Sequence, residues 1–486
     1  MNGFSSVQLH IAAGVILLLA AGCQAPVERE ARNRPWVGTA QVRDTDFDRR
    51  TWHGTAADTV RALMERLPDR IDSAAEHRLA RNLLVSVADA PQGAEDSAAL
   101  LSLRVDALMR LGAYGDAASL ARAGRNLPRD PASAAREVEA ELLAGNIEMA
   151  CIDLRALAGQ SSGGWPSAGW VDGGVALCKA HAGDDGAVPP PDSRHRGTLA
   201  RIRGGTLSTE PPAGEPADTR AAYLAAVAVD AKIPVAQRLE AAFQAARSNA
   251  IGAEAYARLL RGAPARGQAG AGPPATGEQA AALFQAAARA PDAAHRLALA
   301  EQGLLSPGGA VDGVGAALAE ALRGARPDGA LAGRYAAYFY SVGDTKAAAA
   351  LADRARRADT AVWPYRALVK PAPGELAEWE KRAALDPGRR ARMAAILSAF
   401  GIGSEPAGEG VDDSDLRELD AAATAQRAGE TTLRALAILG RGGPAAASPQ
   451  ALHHVLKALD RVSQHDAARA LAFEAIAAVL QTRPAA

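Results

Sequence analysis

Gly159-Gln160-Ser161-Ser162-Gly163 has the G-x-S-x-G form of a nucleophile elbow, which presents a serine hydroxyl to a carbonyl carbon. That chemistry needs a buried strand before the serine and a helix after it, so that a strained turn lifts the hydroxyl toward its base. Here the preceding stretch, "IEMACIDLRALAG", has helical periodicity and a Gly/Ser/Trp/Pro loop follows, so the context excludes an elbow. Asp44, Asp46 and Asp48 open like a calcium-binding loop. Its sixth and twelfth positions fall on Arg49 and Thr55, where glycine and a bidentate glutamate are required. His453, His454 and His465 lie close in sequence, but adjacent helical residues point about 100° apart. No HExxH pattern or second ligand pair accompanies them, so they read as surface or helix-end histidines. The chain has no P-loop, no dinucleotide fingerprint after a strand and no C-x-x-C. No catalytic residue, metal or cofactor is therefore expected, and the role should be non-enzymatic.

Binding chemistry has a better candidate. Aromatic residues are only 4% of the chain, yet Tyr335, Tyr338, Phe339, Tyr340, Trp363 and Tyr365 gather in one region, with Arg354, Arg356 and Arg357 between them. Aromatic and arginine side chains carry most binding hot spots. Tyr335, Tyr338, Tyr340, Arg354, Arg357, Trp363 and Tyr365 are thus the candidate binding surface. The competing expectation is that the same residues are simply local core, the commoner fate of large apolar side chains.

Such a surface needs a scaffold, and composition indicates which kind. Hydrophobic residues reach 48% with so few aromatics because the excess is mostly alanine, the best helix former. Alanine buries little area per residue, so an all-α fold with many thin helix contacts is expected. "SAALLSLRVDALMRLG" places Leu101, Val105 and Leu108 on one helical face, and Asp96 and Ser97 can cap its start. Gly/Pro-rich breaks at 184–218, 261–279, 401–413 and 440–450 separate helical stretches. Charge is balanced, with 54 Lys plus Arg against 55 Asp plus Glu and no basic stripe, which argues against a nucleic-acid partner.

Cys151 and Cys178 flank a Gly/Ser/Pro loop, Cys151 near the start of one expected helix and Cys178 near the end of the next. In an antiparallel hairpin those positions lie at similar height, so a disulfide is geometrically reasonable and would be worth roughly 3 kcal/mol. Two buried free thiols are the alternative.

The start of the chain sets an address. Residues 11–21 are apolar throughout, too short a run to cross a bilayer and of the length of a signal-peptide core. The run ends Ala20-Ala21-Gly22-Cys23, which resembles the lipobox of bacterial lipoproteins. The resemblance implies cleavage before Cys23, acylation of its sulfur, and a lipid-anchored protein on the periplasmic face of the cell envelope. Gln24, where an Asp would mark retention in the inner membrane, points to the outer membrane. Residues 1–22 then form the signal peptide and residues 23–54, polar and without helical periodicity, a flexible tether reaching roughly 30 Å.

The remainder shows a recurring pattern. Leu111-Gly112-x-Tyr114-x-x-Ala117, with Pro128 after the second helix, resembles the tetratricopeptide repeat, in which two helices meet across small residues. Degenerate copies occur at Gly145 and Ala150, at Gly343, Asp344 and Ala347, and at His465-Asp466-Ala467. The resemblance implies an irregular α-solenoid of antiparallel helical hairpins, with residues 55–183 as an N-terminal repeat region, 184–218 as a linker and 219–482 as a C-terminal repeat region. The expected function is a lipid-anchored envelope scaffold that binds another envelope protein. Alternatives are a cell-wall or glycan-binding accessory protein and a lytic-transglycosylase-like superhelix without its catalytic domain.

Overall fold

A computed structural model describes residues 35–36, 38–40, 45–94, 97–125, 131–144, 146–158, 168–183, 224, 228, 233–247, 251, 253–264, 274–303, 313–327, 329–352, 354, 362–370, 373–383, 385–404 and 414–481. Cys23, the signal segment, Arg356, Arg357 and the 184–218 linker lie outside the described residues. The fold is all-α, as composition predicts. The strands among the described residues, β1 (Pro35–Trp36) and β2 (Ala88–Asp89), are two residues each and pair antiparallel.

Two helices open the fold, α1 (Ala57–Glu65) and α2 (Ala74–Val85). Helices each packed on the next in sequence follow: α3 (Ser97–Arg110), α4 (Tyr114–Ala123), α5 (Pro131–Leu143), α6 (Ile147–Ala158) and α7 (Ala168–His181). A second group packs among itself: α8 (Val235–Arg247), α9 (Ala253–Gly262), α10 (Gly277–Arg289), α11 (Ala293–Gly303) and α12 (Gly313–Leu322). Next come α13 (Gly329–Ser341), α14 (Thr345–Ala352), α15 (Trp363–Val369) and α16 (Leu376–Ala383). The C-terminal group is α17 (Pro387–Ala399), α18 (Ser414–Thr424), α19 (Ala428–Leu439), α20 (Gly443–Ala446), α21 (Pro449–Arg461) and α22 (His465–Gln481).

One hairpin turn recurs. The amide three residues past a helix end donates five residues back: Ala113 to Leu108, Asn146 to Glu141, Asp344 to Phe339, Arg427 to Ala422 and Gln464 to Leu459. This is the Schellman closure, which needs a left-handed residue just before the donor. Gly112 and Gly343 supply it at φ 76° and 80°, while Gln426 and Ser463 adopt it at 55° and 65° without glycine's freedom. Four residues after the donor, Ala117, Ala150, Ala348 and Ala468 are all fully buried in the first turn or two of the second helix. In the turns at Asp344 and Gln464 the buried alanine is therefore Ala348 and Ala468, one residue on from the expected Ala347 and Ala467, which are only half-buried.

Part of the stretch expected to be a tether is packed into the fold. Phe47 and Trp52 are each 1% exposed, and Thr45, Thr51 and Thr55 are buried with them. The Thr51 carbonyl accepts from the Gly429 amide at 2.7 Å, and a Cβ on Gly429 would lie 2.5 Å from the Trp52 ring. Gln464 Nε2 donates to the Asp46 carbonyl at 3.0 Å. Residues 45–54 thus belong to the folded body, because two large aromatic side chains bury more apolar area than the charged residues around them cost in exposure.

The first helices also pack against the last. α1 and α2 contact α19, and α2 contacts α22. A repeat array brings only neighbouring units together, so this junction is an addition to the hairpin pattern. Arg66 forks onto the Asp415 carboxylate at 2.8 and 3.2 Å, and Asp72 donates its amide to the Arg441 carbonyl at 3.1 Å. α22 is buried on most sides, through Leu471, Ala472, Phe473, Ala475 and Ile476. It packs on α2, α13, α17 and α21. The fully buried Arg104 ties α3 to the end of α2, donating to the Leu84 and Ser86 carbonyls at 2.7 and 2.9 Å, and burial lowers its pKa to about 9. Those carbonyls are among the acceptors a helix C-terminus leaves unmet.

Candidate functional site

The aromatic cluster is core. Tyr335 is fully buried, Trp363 is 1% exposed, and Tyr338, Tyr340 and Tyr365 are 2% exposed. Tyr340 and Tyr365 stack at 5.6 Å and both lean on Phe473 of α22, at 4.8 and 5.7 Å. Trp363 stacks on Trp379 at 5.2 Å and donates its indole N–H to Glu375 Oε2 at 2.9 Å. Tyr335 gives its hydroxyl to the Ala293 carbonyl at 2.9 Å and Tyr338 to the Gly315 carbonyl at 2.8 Å. The five aromatic residues expected on a binding surface, Tyr335, Tyr338, Tyr340, Trp363 and Tyr365, are thus packed in the interior. The physical reason is scarcity: a chain lined with alanine places its few large side chains where helices of different groups must be filled against one another. Arg354 is exposed. Trp363→Ala should therefore act as a core truncation, costing about 3–5 kcal/mol by chemical denaturation, with no ligand needed to reveal the loss.

His453 is buried rather than on the surface. Its Nδ1 lies 2.9 Å from Ser398 Oγ and 3.3 Å from the Ala395 carbonyl. Ser398 Oγ itself donates to that carbonyl at 3.1 Å. Through these partners the buried imidazole ties α21 to α17. His454 pairs with Asp420 and His465 with Asp460, at 2.8 and 2.7 Å. Among the described residues no group of three or more His, Cys, Asp or Glu is placed to hold a metal. No helix among them is long and apolar enough to cross a membrane. A hollow beside Trp379, Arg390 and Met393 holds about 10 Å³. A second beside Leu101, Ser133 and Arg136 holds about 20 Å³. Each has room for about one water molecule.

Cys151 and Cys178 sit at disulfide distance, S–S 2.04 Å and Cα–Cα 5.5 Å, joining α6 to α7. With Ala135, Val138, Leu142, Leu154, Leu157 and Leu177 they form a small core separate from the main one.

The most unusual chemistry lies at the junction of first and last helices. Ser73 caps α2, its Oγ accepting from the Glu76 amide at 3.1 Å. The same hydroxyl donates to Glu474 Oε2 at 2.5 Å, and the Ala75 amide donates to Glu474 Oε1 at 2.7 Å. A carboxylate from α22 thus completes the N-terminus of α2. Burial drives the Glu474 carboxyl up to about 7, against the lowering pull of those hydrogen bonds and of Arg78. Glu76 is fully buried, and neither of its carboxyl oxygens has a hydrogen-bond partner. Burial raises its pKa well above the usual glutamate value, and the Glu474 and Asp72 charges raise it further. Gly443 approaches so closely that a Cβ there would lie 2.5 Å from Ser73 Cβ and 2.9 Å from Glu76 Oε2. Sequence analysis did not single these residues out. Ser73-x-x-Glu76 has the form of a capping box, a signal for a helix start that does not say the start is buried.

Comparison with protein-family models, with curated proteins and with solved structures found no match.

Proposed function

We propose that this chain is a non-enzymatic, lipid-anchored scaffold of the cell envelope that binds another protein through its helical hairpins. The observation that supports it most is the recurring Schellman turn with a buried alanine four residues beyond its donor amide. That geometry accompanies the tetratricopeptide-like order Leu111-Gly112-x-Tyr114-x-x-Ala117. Stacked hairpins of this kind offer an extended surface of side chains. The disulfide-distance pair Cys151 and Cys178 favours an oxidising compartment, as the lipobox-like end at Cys23 does.

In this proposal the protein is acylated at Cys23, faces the periplasm and sits on the outer membrane rather than the inner. Because β1 at Pro35–Trp36 already pairs with β2 of the folded body, the proposed tether is shorter than residues 23–54 allow. A coil of about 12 residues reaches roughly 19 Å, so the body stays close to its membrane. Cys23→Ala should move the protein from the membrane fraction to the soluble fraction without changing its stability, read by fractionation and thermal unfolding. Crosslinking in intact cells followed by affinity capture tests the scaffold role. A recurrent protein partner, lost when the α3–α7 surface is altered, is the expected result. Capture of peptidoglycan fragments alone would overturn it.

A further inference from the structure

We propose that Ser73, Glu76 and Glu474 form a proton-operated clasp that holds the first helices on the last, closed while the carboxyls hold their protons and loosened when both ionise. The clasp stands whether or not the scaffold proposal does. Its geometry is unusual in three respects. Glu474 comes from the last helix yet serves as hydrogen-bond acceptor for the start of α2, through Ser73 Oγ and the Ala75 amide. Glu76, one turn along, is fully buried with both carboxyl oxygens unpartnered. The Gly443 backbone closes the cluster from α20, so tightly that no side chain fits there.

The charged groups around the pair do not neutralise it. Asp72 is a third carboxylate on the α2 side and Arg441 is engaged with it, at 3.2 Å. Arg392 of α17 donates to the Pro444 carbonyl. Arg78 is the cation that favours ionised Glu474, and it lies against the α13–α14 turn at Gly343. His77, next on α2, turns away and bonds the Leu111 carbonyl at 2.8 Å. An unpaired buried carboxylate is far costlier than the neutral acid, so the closed junction retains protons that an opened one would release. A bound cation is the other way to accommodate two buried carboxylates near each other, but among the described residues no group of three or more His, Cys, Asp or Glu is placed to hold one.

The direction follows from the proton count. In the closed state Glu474 titrates at about 7, against 4.5 when exposed, and Glu76 shifts the same way. The junction is then most stable at mildly acidic pH. It weakens as pH rises from about 5 to about 8, by up to about tenfold in the opening equilibrium per pH unit for each group.

Amide hydrogen exchange of the full-length protein, corrected for the intrinsic effect of pH, tests this on peptides from α2 and α22. Protection should fall at least about tenfold between about pH 5 and about pH 8. The Glu76→Gln/Glu474→Gln variant should show a flat profile. A flat wild-type profile, an unchanged slope in the double variant, or a slope abolished by calcium, magnesium or a chelator would overturn the proposal. Should the double variant fail to fold, infrared spectroscopy of the wild-type protein decides. A protonated carboxyl band at neutral pH is expected, and its absence contradicts the clasp.

Discussion

Trp52→Ala should cost about 3–5 kcal/mol and release the first two helices from the last. Trp52 is 1% exposed and its ring lies where a Cβ on Gly429 would be, 2.5 Å away. Beside it, the Thr51 carbonyl accepts from the Gly429 amide that opens α19. Truncating the ring leaves a cavity between the 45–56 segment and α19 that backbone collapse cannot fill, because Gly429 contributes no side chain. The loss should appear in two measurements. Chemical denaturation should show the lowered stability, and limited proteolysis should cleave between residues 45 and 94 first. A free-energy change below about 1 kcal/mol, the level of an ordinary surface substitution, would show that this segment is not part of the closed body.

Cys151→Ser/Cys178→Ser should lower stability by roughly 3 kcal/mol, the chain-entropy value for a loop of this size, and the effect should be local. The pair is 27 residues apart. It sits in a cluster that holds α5, α6 and α7 together apart from the main core. Such a small apolar cluster has little to spare, so the cross-link sets whether the end of the α3–α7 run is ordered. Hydrogen exchange should show lost protection in α6 and α7, with α17–α22 unchanged. Reductant should reproduce the effect on the wild-type protein. Equal stability with and without reductant, or two freely alkylated thiols in protein from the native host, would refute the cross-link.

Local chemistry was legible in the sequence and long-range partnership was not. Hairpin turns announce themselves where glycine takes the left-handed position, as at Gly112 and Gly343, and a small residue follows five positions on. Their register is less legible, because runs of alanine offer several equivalent positions: the fully buried ones are Ala348 and Ala468, not Ala347 and Ala467. Cys151 and Cys178 could be matched because both lie within one hairpin. By contrast, Ser73 and Glu474 are 401 residues apart, and no periodicity encodes that α22 would cap α2. Periodicity names the apolar face of a helix and leaves its partner open. The same limit explains Phe47 and Trp52, two aromatics in a charged stretch that looked like a tether. It also explains the tyrosines at 335–340, whose scarcity suggested a surface while their burial shows a core. The recurring turn, the disulfide-distance pair and the buried junction describe an all-helical body. Its location and partner remain proposals carried by Cys23 and the hairpins.

The proposal that this body is held at a membrane by an acylated cysteine is tested most directly by mass spectrometry of the N-terminal peptide of protein purified from its native membrane. It predicts a peptide that begins at Cys23 and carries fatty acyl groups. A peptide that begins at Met1, or one that begins at Cys23 with an unmodified thiol, would contradict it.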